Sequence, residues 1–507
     1  MNRLSHCISL PLRFTRINHF TIPRALSTMS ATHYDVLVLG SGQGGNPVAK
    51  AFAKAGRKTA VIERAALGGT CVNVGCTPTK TMIASGRAAY LARRDSDYGV
   101  RAGNGHVEID MARVRQRKRA IVEQWNSGSV KGLAAAGVEV IMGDASFVGD
   151  RKLKVALQDG GNKEVSADTV FLNVGERSAR PEIPGLDDLE PARVLNSTSI
   201  MELAEVPRHL VVLGGGYIGL EFGQLFRRLG ADVTVVQRAR QLVPREDPDV
   251  AECLLDILRQ DGITIHLSST VDSISATKNA ETPFSVSVKT PKGQTEVSGS
   301  HLLLAAGRVP NTDGLNLSEV GIKTTAKGHI VVDEKLQTTA SGVYALGDCH
   351  GGPAFTHMSY DDFRIIRTNL LSETMSSTTP TMATTQDSIS RVLTPYCMYT
   401  DPQLGHVGLH ARDLANSTRE VKMAKMPMSY VARALETAEP RGMMKAAVDA
   451  KTGEILGFTC LGIEGGEVMS IVQTAIMGGL KWWDLEAAVY AHPTLAESLN
   501  NLWGHLE

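Results

Sequence analysis

No apolar run in this chain approaches the roughly 18–20 residues that a membrane-crossing helix needs, so a helical membrane protein is not expected. Cysteine is sparse, seven in 507 residues, which excludes a secreted scaffold held together by disulfides. Neither sign of charge is in excess: Lys and Arg number 53, as do Asp and Glu. No global field would therefore draw the chain to nucleic acid or to an anionic membrane. The one dense basic stretch, Arg113, Arg115, Arg117, Lys118 and Arg119, reads as a solvated helix face. Cys7, Cys253, Cys349, Cys397 and Cys460 are scattered, so close spacing offers no four-ligand zinc cluster, and no metal site is expected. At this length about three or four domains are expected, in a soluble intracellular protein.

The two remaining cysteines, Cys71 and Cys76, stand close together in GGTCVNVGCTPTK. In one continuous helix their Cα atoms would be roughly 7.5 Å apart at about 1.5 Å rise per residue, beyond the roughly 4.4–6.8 Å that a disulfide tolerates. Cys71 must then precede the helix or sit in a distorted first turn, with Gly69 and Gly75 supplying the freedom and TKTMIASGRAAYLARR forming the helix that follows. A helix N-terminus favours a thiolate, so geometry and electrostatics both suit a labile disulfide. The alternative is two buried cysteines acting as small hydrophobes.

Upstream, YDVLVL (Tyr34 to Leu39) has the apolar continuity of a buried parallel strand and enters Gly40-Ser-Gly42-Gln-Gly44-Gly45, then a helical pattern. A second strand, KTAVIER, ends on Glu63, where a ribose-binding acid belongs. Gly40 makes the turn, Gly42 lets backbone approach a pyrophosphate, and Gly45 packs helix on strand. The pattern returns in HLVVLGGGYIGLEFGQLFRRLGADVTVV with Gly214, Gly216 and Gly219 on the same spacing. Two such folds imply two dinucleotides, one a tightly held flavin and the other an exchangeable nicotinamide. A two-electron cofactor then sits beside a two-electron thiol couple. At the end of the second fold's second strand stands Gln237 in place of the acid that accepts the 2′-hydroxyl of NAD, followed by Arg238 and Arg240. Arginines there can hold the extra phosphate of NADP, so NADPH is favoured and NADH remains possible. The other reading is that these arginines merely solvate a loop.

Residues 1–33 carry Arg3, Arg13, Arg16 and Arg24 and no acid, which suits a mitochondrial transit peptide. Pro11 and Pro23 interrupt its helical pattern, and Met29 could start a shorter cytosolic product, so mitochondrion and cytoplasm both stay open. Residues 372–391 are rich in Ser and Thr, the composition of a flexible linker. Strand-like KAAVDA and EILGFTCLG with helical EVMSIVQTAIMGG then mark residues 392–507 as an α+β terminal domain.

GGTCVNVGC, GGGYIGLEFG, AAGRVPN with Gly307, GVYALGD, YTDPQLGHVGL and HPTLAESLNNL, in this order from about Tyr34 to Trp503, resemble the pyridine nucleotide-disulfide oxidoreductases. That is the family of dihydrolipoamide dehydrogenase, glutathione reductase and mercuric reductase, and GDCHGGPAFTHMSYDDFRI points to the mercuric-reductase-like subgroup. The resemblance implies an α/β fold class: two Rossmann-like dinucleotide-binding domains, for FAD (34–185 and 312–371) and NAD(P) (186–311), plus a C-terminal α+β dimerisation domain (392–507). It implies that Cys76 is the thiol against the flavin and Cys71 the interchange thiol. Lys80 lies near the flavin and pairs with Glu221, Tyr217 shields the flavin until nicotinamide displaces it, and Asp348 binds the ribityl chain. Gly175 and Gly307 join the cofactor contacts. His492 and Glu497 form an acid–base dyad that reaches the disulfide of the other subunit in a homodimer with shared active sites.

The chain departs from mercuric reductases in ending NNLWGHLE without a cysteine pair and in lacking a GMTCxxC module, which makes efficient mercury reduction doubtful. The expected activity is NAD(P)H-dependent reduction, through FAD and Cys71–Cys76, of a disulfide, metal ion or quinone. The rivals are a dihydrolipoamide dehydrogenase oxidising a dithiol with NAD, and a redox-responsive flavoprotein acting as a binding partner.

Overall fold

The computed structural model describes residues 32–101, 106–371 and 393–507. The expected leader, except for its last two residues, and the Ser/Thr-rich linker lie outside the described residues.

The first sheet is built around the strand Thr32–Leu39, which runs parallel to Thr59–Glu63 on one side and to Asn162–Leu172 on the other. Its side chains from Val36 to Leu39 are all buried, as a parallel strand covered on both faces requires. Glu139–Gly149 joins parallel beyond Thr59–Glu63, and Val343–Ala345 joins beyond Asn162–Leu172. The two eleven-residue strands run on past this layer and are bridged there by the antiparallel strand Lys152–Leu157.

A second parallel sheet orders Thr264–His266, Asp232–Val236, His209–Leu213, His301–Leu304 and Val194–Leu195, with an antiparallel meander over residues 270–299 beside it. This unit is inserted into the first. The chain leaves through Glu176–Ser178 and returns through Arg308–Pro310, which pair antiparallel, before Val343–Ala345 completes the first sheet. The third unit is a five-stranded antiparallel sheet from Tyr396–Met398 to Ile455–Gly462, onto which the helix Gly465–Met477 packs Val468, Met469, Val472 and Ala475. The α/β fold class expected above, two dinucleotide folds and an α+β terminal domain, is therefore what the chain forms. No helix among the described residues is long and apolar enough to cross a membrane.

In the basic stretch on the helix Met111–Ala135, Arg113, Arg117 and Arg119 are exposed as a solvated face requires, but Lys118 corrects the expectation. Lys118 is buried against the turn Ser199–Glu202, where it pairs with Glu202 and donates to the Met201 carbonyl at 3.2 Å, and Arg117 donates to the Thr81 carbonyl at 2.6 Å. Periodicity could not show that a second segment, more than eighty residues on, supplies a carboxylate there.

The three units are docked by charge. Asp401 of the terminal unit pairs with Arg228 on the helix Tyr217–Leu229 and with Arg87 on the helix Cys76–Arg93, while Arg441 reaches Asp261 at 2.6 Å. The Asp401 backbone also exchanges two hydrogen bonds with the Gln224 amide, at 2.7 and 2.8 Å. Burial alone would raise the Asp401 carboxyl, but the two guanidiniums more than offset it and hold the group below the usual carboxylate value. Its stabilisation is therefore complete at neutral pH and is lost as pH falls through the lowered folded-state value. Asp401→Ala would leave the buried Arg228 only its longer contact to Asp261, at 3.8 Å, and should cost roughly 3 kcal/mol by denaturant titration. A loss within error would show that the docking does not depend on this carboxylate.

Candidate functional site

Both glycine loops and both cysteines open onto one cavity of about 1700 Å³. The first loop is shaped by Asn173, which sequence reasoning missed. Its Oδ1 accepts the Gly45 N–H at 2.8 Å and its Nδ2 donates to the Leu346 carbonyl at 2.9 Å. Gly40 turns with φ +91°, where a Cβ would lie 2.3 Å from the Asn173 carbonyl oxygen, and a Cβ on Gly45 would lie 2.1 Å from the Gly40 oxygen. Gly42 passes the Asn173 side chain, which a Cβ would approach to 2.8 Å. Glu63 is buried and fixed, accepting the Ser41 N–H at 3.0 Å and the Ser41 hydroxyl at 2.6 Å.

Farther along the cavity Gly175 and Gly307 leave backbone bare, and Asp348, in the turn Gly347–His350, faces the same space. Burial and the neighbouring Glu176 carboxylate push its carboxyl up to about 6. An acid at a bare-backbone loop, a long cleft and a second acid able to accept from a polyol together fit FAD, with Cys76 and Lys80 lining the same cleft.

Cys71 lies in a separate five-residue helical turn, Gly69–Asn73, and Cys76 opens the helix Cys76–Arg93. The break between them does what one continuous helix could not: it places two free thiols on the same cavity, near enough to shift each other's titration in opposite directions. Interaction with Cys71 is the largest influence holding the Cys76 thiol down at about 5, with the Thr356 hydroxyl at 3.4 Å and the Lys80 ammonium adding to it against some desolvation. The same interaction, with burial, pushes Cys71 up. Lys80 Nζ lies 2.7 Å from Glu221 Oε2 and 5.0 Å from the centre of the Tyr399 ring. Burial opposes its charge, but Glu221 more than compensates and keeps it raised. With Cys76 favoured as the thiolate, Cys71 as the thiol and a fixed ammonium in the same cleft, the pair is suited to two-electron exchange with a disulfide as the oxidised form.

The second loop repeats the first. Gly214 turns with φ +115°, and a Cβ on Gly219 would lie 2.2 Å from the Gly214 oxygen. Nothing lies within 4 Å of the Cβ position of Gly216, which leaves room for a pyrophosphate at the start of the helix Tyr217–Leu229. Gln237 is buried and spends both ends of its amide on the loop, accepting the Gly215 N–H and donating to the Gln241 carbonyl, each at 3.1 Å. Glu63 bonds its own loop in the same way through Ser41. Arg238 and Arg240 are exposed and make no ion pair among the described residues. Tyr217 lines the cavity, its ring 6.5 Å from that of Phe355 and 5.7 Å from that of Tyr396.

His492 Nδ1 lies 3.0 and 2.9 Å from the two Glu497 oxygens, so the dyad forms. It is brought to neither cysteine: the His492 side chain is 69% exposed, and neither residue lines the cavity. Thr356, also missed, lay within the quoted GDCHGGPAFTHMSYDDFRI, but nothing in that string marks it as a partner for a thiol 280 residues away.

A family profile described as pyridine nucleotide-disulphide oxidoreductase matches residues 34–362, and one for the dimerisation domain of the same family matches residues 394–502. The probable pyridine nucleotide-disulfide oxidoreductase RclA of Escherichia coli is 35% identical, covering 93% of this chain and 98% of its own. A mercuric reductase of Streptomyces lividans is 33% identical (92% and 95%), and a dihydrolipoyl dehydrogenase of Chlorobaculum tepidum is 32% identical (92% and 96%). The solved Cu(II) complex of the HOCl-induced flavoprotein disulfide reductase RclA superposes with a TM-score of 0.81 at 34% identity, over 93% of this chain and 99% of that one.

Because the Cys76 thiol is held down to about 5, its thiolate should persist well below neutral pH in the reduced protein. The long-wavelength absorbance that a thiolate produces beside a flavin should then fade only near that value as pH falls. Cys76→Ser should abolish the band, and Cys71→Ser should show it without reductant, since Cys76 then has no partner with which to form the disulfide and stays a thiolate. Spectra unchanged by either substitution would overturn the assignment.

Proposed function

The chain belongs to the pyridine nucleotide-disulphide oxidoreductase family, NAD(P)H-dependent flavoenzymes that carry FAD, and on that basis we propose that Cys71 and Cys76 are its redox pair. The observation that carries this reading is that Cys71, Cys76 and the Glu221-paired Lys80 line the one cavity shared by both glycine loops. Bound FAD supplies the two-electron chemistry that links nicotinamide to the disulfide. Cys76 faces that cofactor and leaves the reduced disulfide as a thiolate, stabilised by Lys80, Thr356 and Cys71. Cys71 is the thiol that meets the acceptor. Glu63 and Asp348 hold the two ends of the flavin nucleotide, and Tyr217 covers the flavin pocket until nicotinamide replaces its ring.

The acceptor belongs to the class that a dithiol reduces: a disulfide, a metal ion or a quinone. The Cys71 thiol and the Cys76 thiolate become one disulfide, two electrons pass to the acceptor, and His492, steadied by Glu497, takes the one proton that Cys71 releases. The dyad's exposure outside its own chain's cavity supports a site completed by a second copy, and the dimerisation-domain match supports self-association. The composition of residues 1–33 suits a mitochondrial address and a start at Met29 a cytosolic one. Fractionation with an antibody to the terminal domain distinguishes them. A screen of the purified holoenzyme with NADPH against lipoamide, glutathione disulfide, copper(II), mercury(II) and quinones identifies the acceptor. Fast NAD-linked oxidation of dihydrolipoamide would instead favour the dehydrogenase reading.

Two further outcomes are expected. With Gln237 committed to its loop and Arg238 and Arg240 free, kcat/KM should favour NADPH, and replacing both arginines with alanine should lower NADPH efficiency roughly tenfold to a hundredfold, the worth of a charge-assisted hydrogen bond. An NADH preference untouched by that change would sink the idea. Mixing an inactive Cys71→Ser, Cys76→Ser chain with an inactive His492→Ala chain should restore activity in heterodimers, since one of the two sites then has both halves. Verified heterodimers that stay inactive would mean that the dyad serves its own chain.

A further inference from the structure

Behind Tyr217 lies a buried polar cluster that the redox chemistry does not use. Glu246, in the loop before the helix Pro248–Gln260, is only 2% exposed, and its Oε1 accepts two tyrosine hydroxyls, Tyr217 and Tyr396, each at 2.8 Å. The Tyr396 hydroxyl, which donates to Glu246, also lies 3.0 Å from His410 Nε2. Glu246 Oε2 and His410 Nδ1 are buried without hydrogen-bond partners. The set Glu246, His406 and His410 has the composition of a metal site. The two imidazoles, however, stack face to face, 3.8 Å apart and 3° from parallel, and cannot both aim an in-plane lone pair at one ion. Both His406 nitrogens are also engaged, with the Thr459 hydroxyl at 2.8 Å and the Gly408 carbonyl at 3.1 Å.

What the cluster does is grip one hydroxyl. Tyr217 follows Gly216 of the second glycine loop and joins the cluster to the cavity, its ring lying along a wall in which Phe355 and Tyr396 stack 5.6 Å apart and 7° from parallel. Resting on the reading of Tyr217 as the shield over the flavin pocket, we propose that Glu246 is a positioning residue, the latch that holds Tyr217 shut. Nicotinamide access then requires breaking the Tyr217–Glu246 hydrogen bond, and Tyr396 and His410 of the terminal unit hold the latch in place. Moving the hydroxyl away strips a buried carboxylate of one of its two donors, so the closed form is favoured. A ligand that needs the open form binds more weakly by the fraction of molecules that are open. Weakening the latch must therefore tighten nicotinamide binding.

The test is calorimetric titration of the FAD-loaded protein with NADP+ and, separately, NAD+, alongside KM and kcat. Glu246→Leu removes the acceptor at similar volume, and Tyr217→Phe removes the donor while keeping the ring. Each should lower the Kd of the nucleotide that binds, and its KM, by roughly threefold to thirtyfold, the range for one hydrogen bond, without raising kcat in proportion. The double variant should go no further than either single one, because both break the same bond. Glu246→Gln, which still offers an oxygen, should return most of the wild-type Kd. If Glu246→Leu folds poorly, Tyr217→Phe alone decides: an unchanged Kd overturns the latch, as do additive effects in the double variant. Tyr217→Gly separates this from the underlying reading. If it leaves Kd unchanged, Tyr217 is not the shield; if it alone changes Kd, the shield stands and the latch falls.

Discussion

The ion pair between Lys80 and Glu221 is where the three folding units meet the chemistry. Lys80 stands one turn beyond Cys76 on the helix Cys76–Arg93, and Glu221 one turn beyond Tyr217 on the helix Tyr217–Leu229, so a 2.7 Å contact joins the thiol-bearing helix to the nicotinamide-side helix. The other oxygen of Glu221 accepts the Tyr399 N–H at 2.8 Å, which brings in the terminal unit. With the Glu221 side chain only 7% exposed, desolvation weighs against such a pair as a source of stability. Its value is positional. A lysine held charged beside Cys76 favours the thiolate, and it can be held there only because a carboxylate from another domain, itself bonded by a third, is waiting for it. Losing Lys80 would strand the buried Glu221 carboxylate in the cleft.

The same division separates what the sequence disclosed from what it concealed. Gly40, Gly42, Gly45 and Glu63 announce themselves because their work is local, a turn at positive φ and a strand end 23 residues later. Cys71 and Cys76 were legible for the same reason: their spacing is incompatible with a single helix, and the chain resolves the conflict with a short turn and a new helix start. Asn173, which props the first loop from 128 residues away, has no local signature, and neither does Thr356 or the Asp401 docking cluster. Lys118 was misjudged because a charge run on a helix looks solvated until a distant carboxylate arrives. Gln237 was seen as the vacancy left by an acid, whereas its amide repeats the loop-bracing half of the work that Glu63 does in the first fold.

Tyr217 and Glu221 are four residues apart on one helix and therefore share a face. This constrains how the cleft can open. Glu221 is tied to Lys80 and to the Tyr399 backbone, and Arg228, two turns farther along, is tied to Asp401, so the helix is pinned at two levels to its neighbours. Displacing Tyr217 by sliding or rotating that helix would break the ion pair that stabilises the Cys76 thiolate. The motion that leaves the thiolate intact is rotation of the Tyr217 side chain alone, and the bond that such a rotation must break is the one to Glu246. Two carboxylates thus divide the labour: Glu221 fixes the helix through Lys80 and the Tyr399 backbone, while Glu246 holds the Tyr217 hydroxyl, so that with Tyr217 as the proposed shield nicotinamide access comes down to a single side-chain hinge.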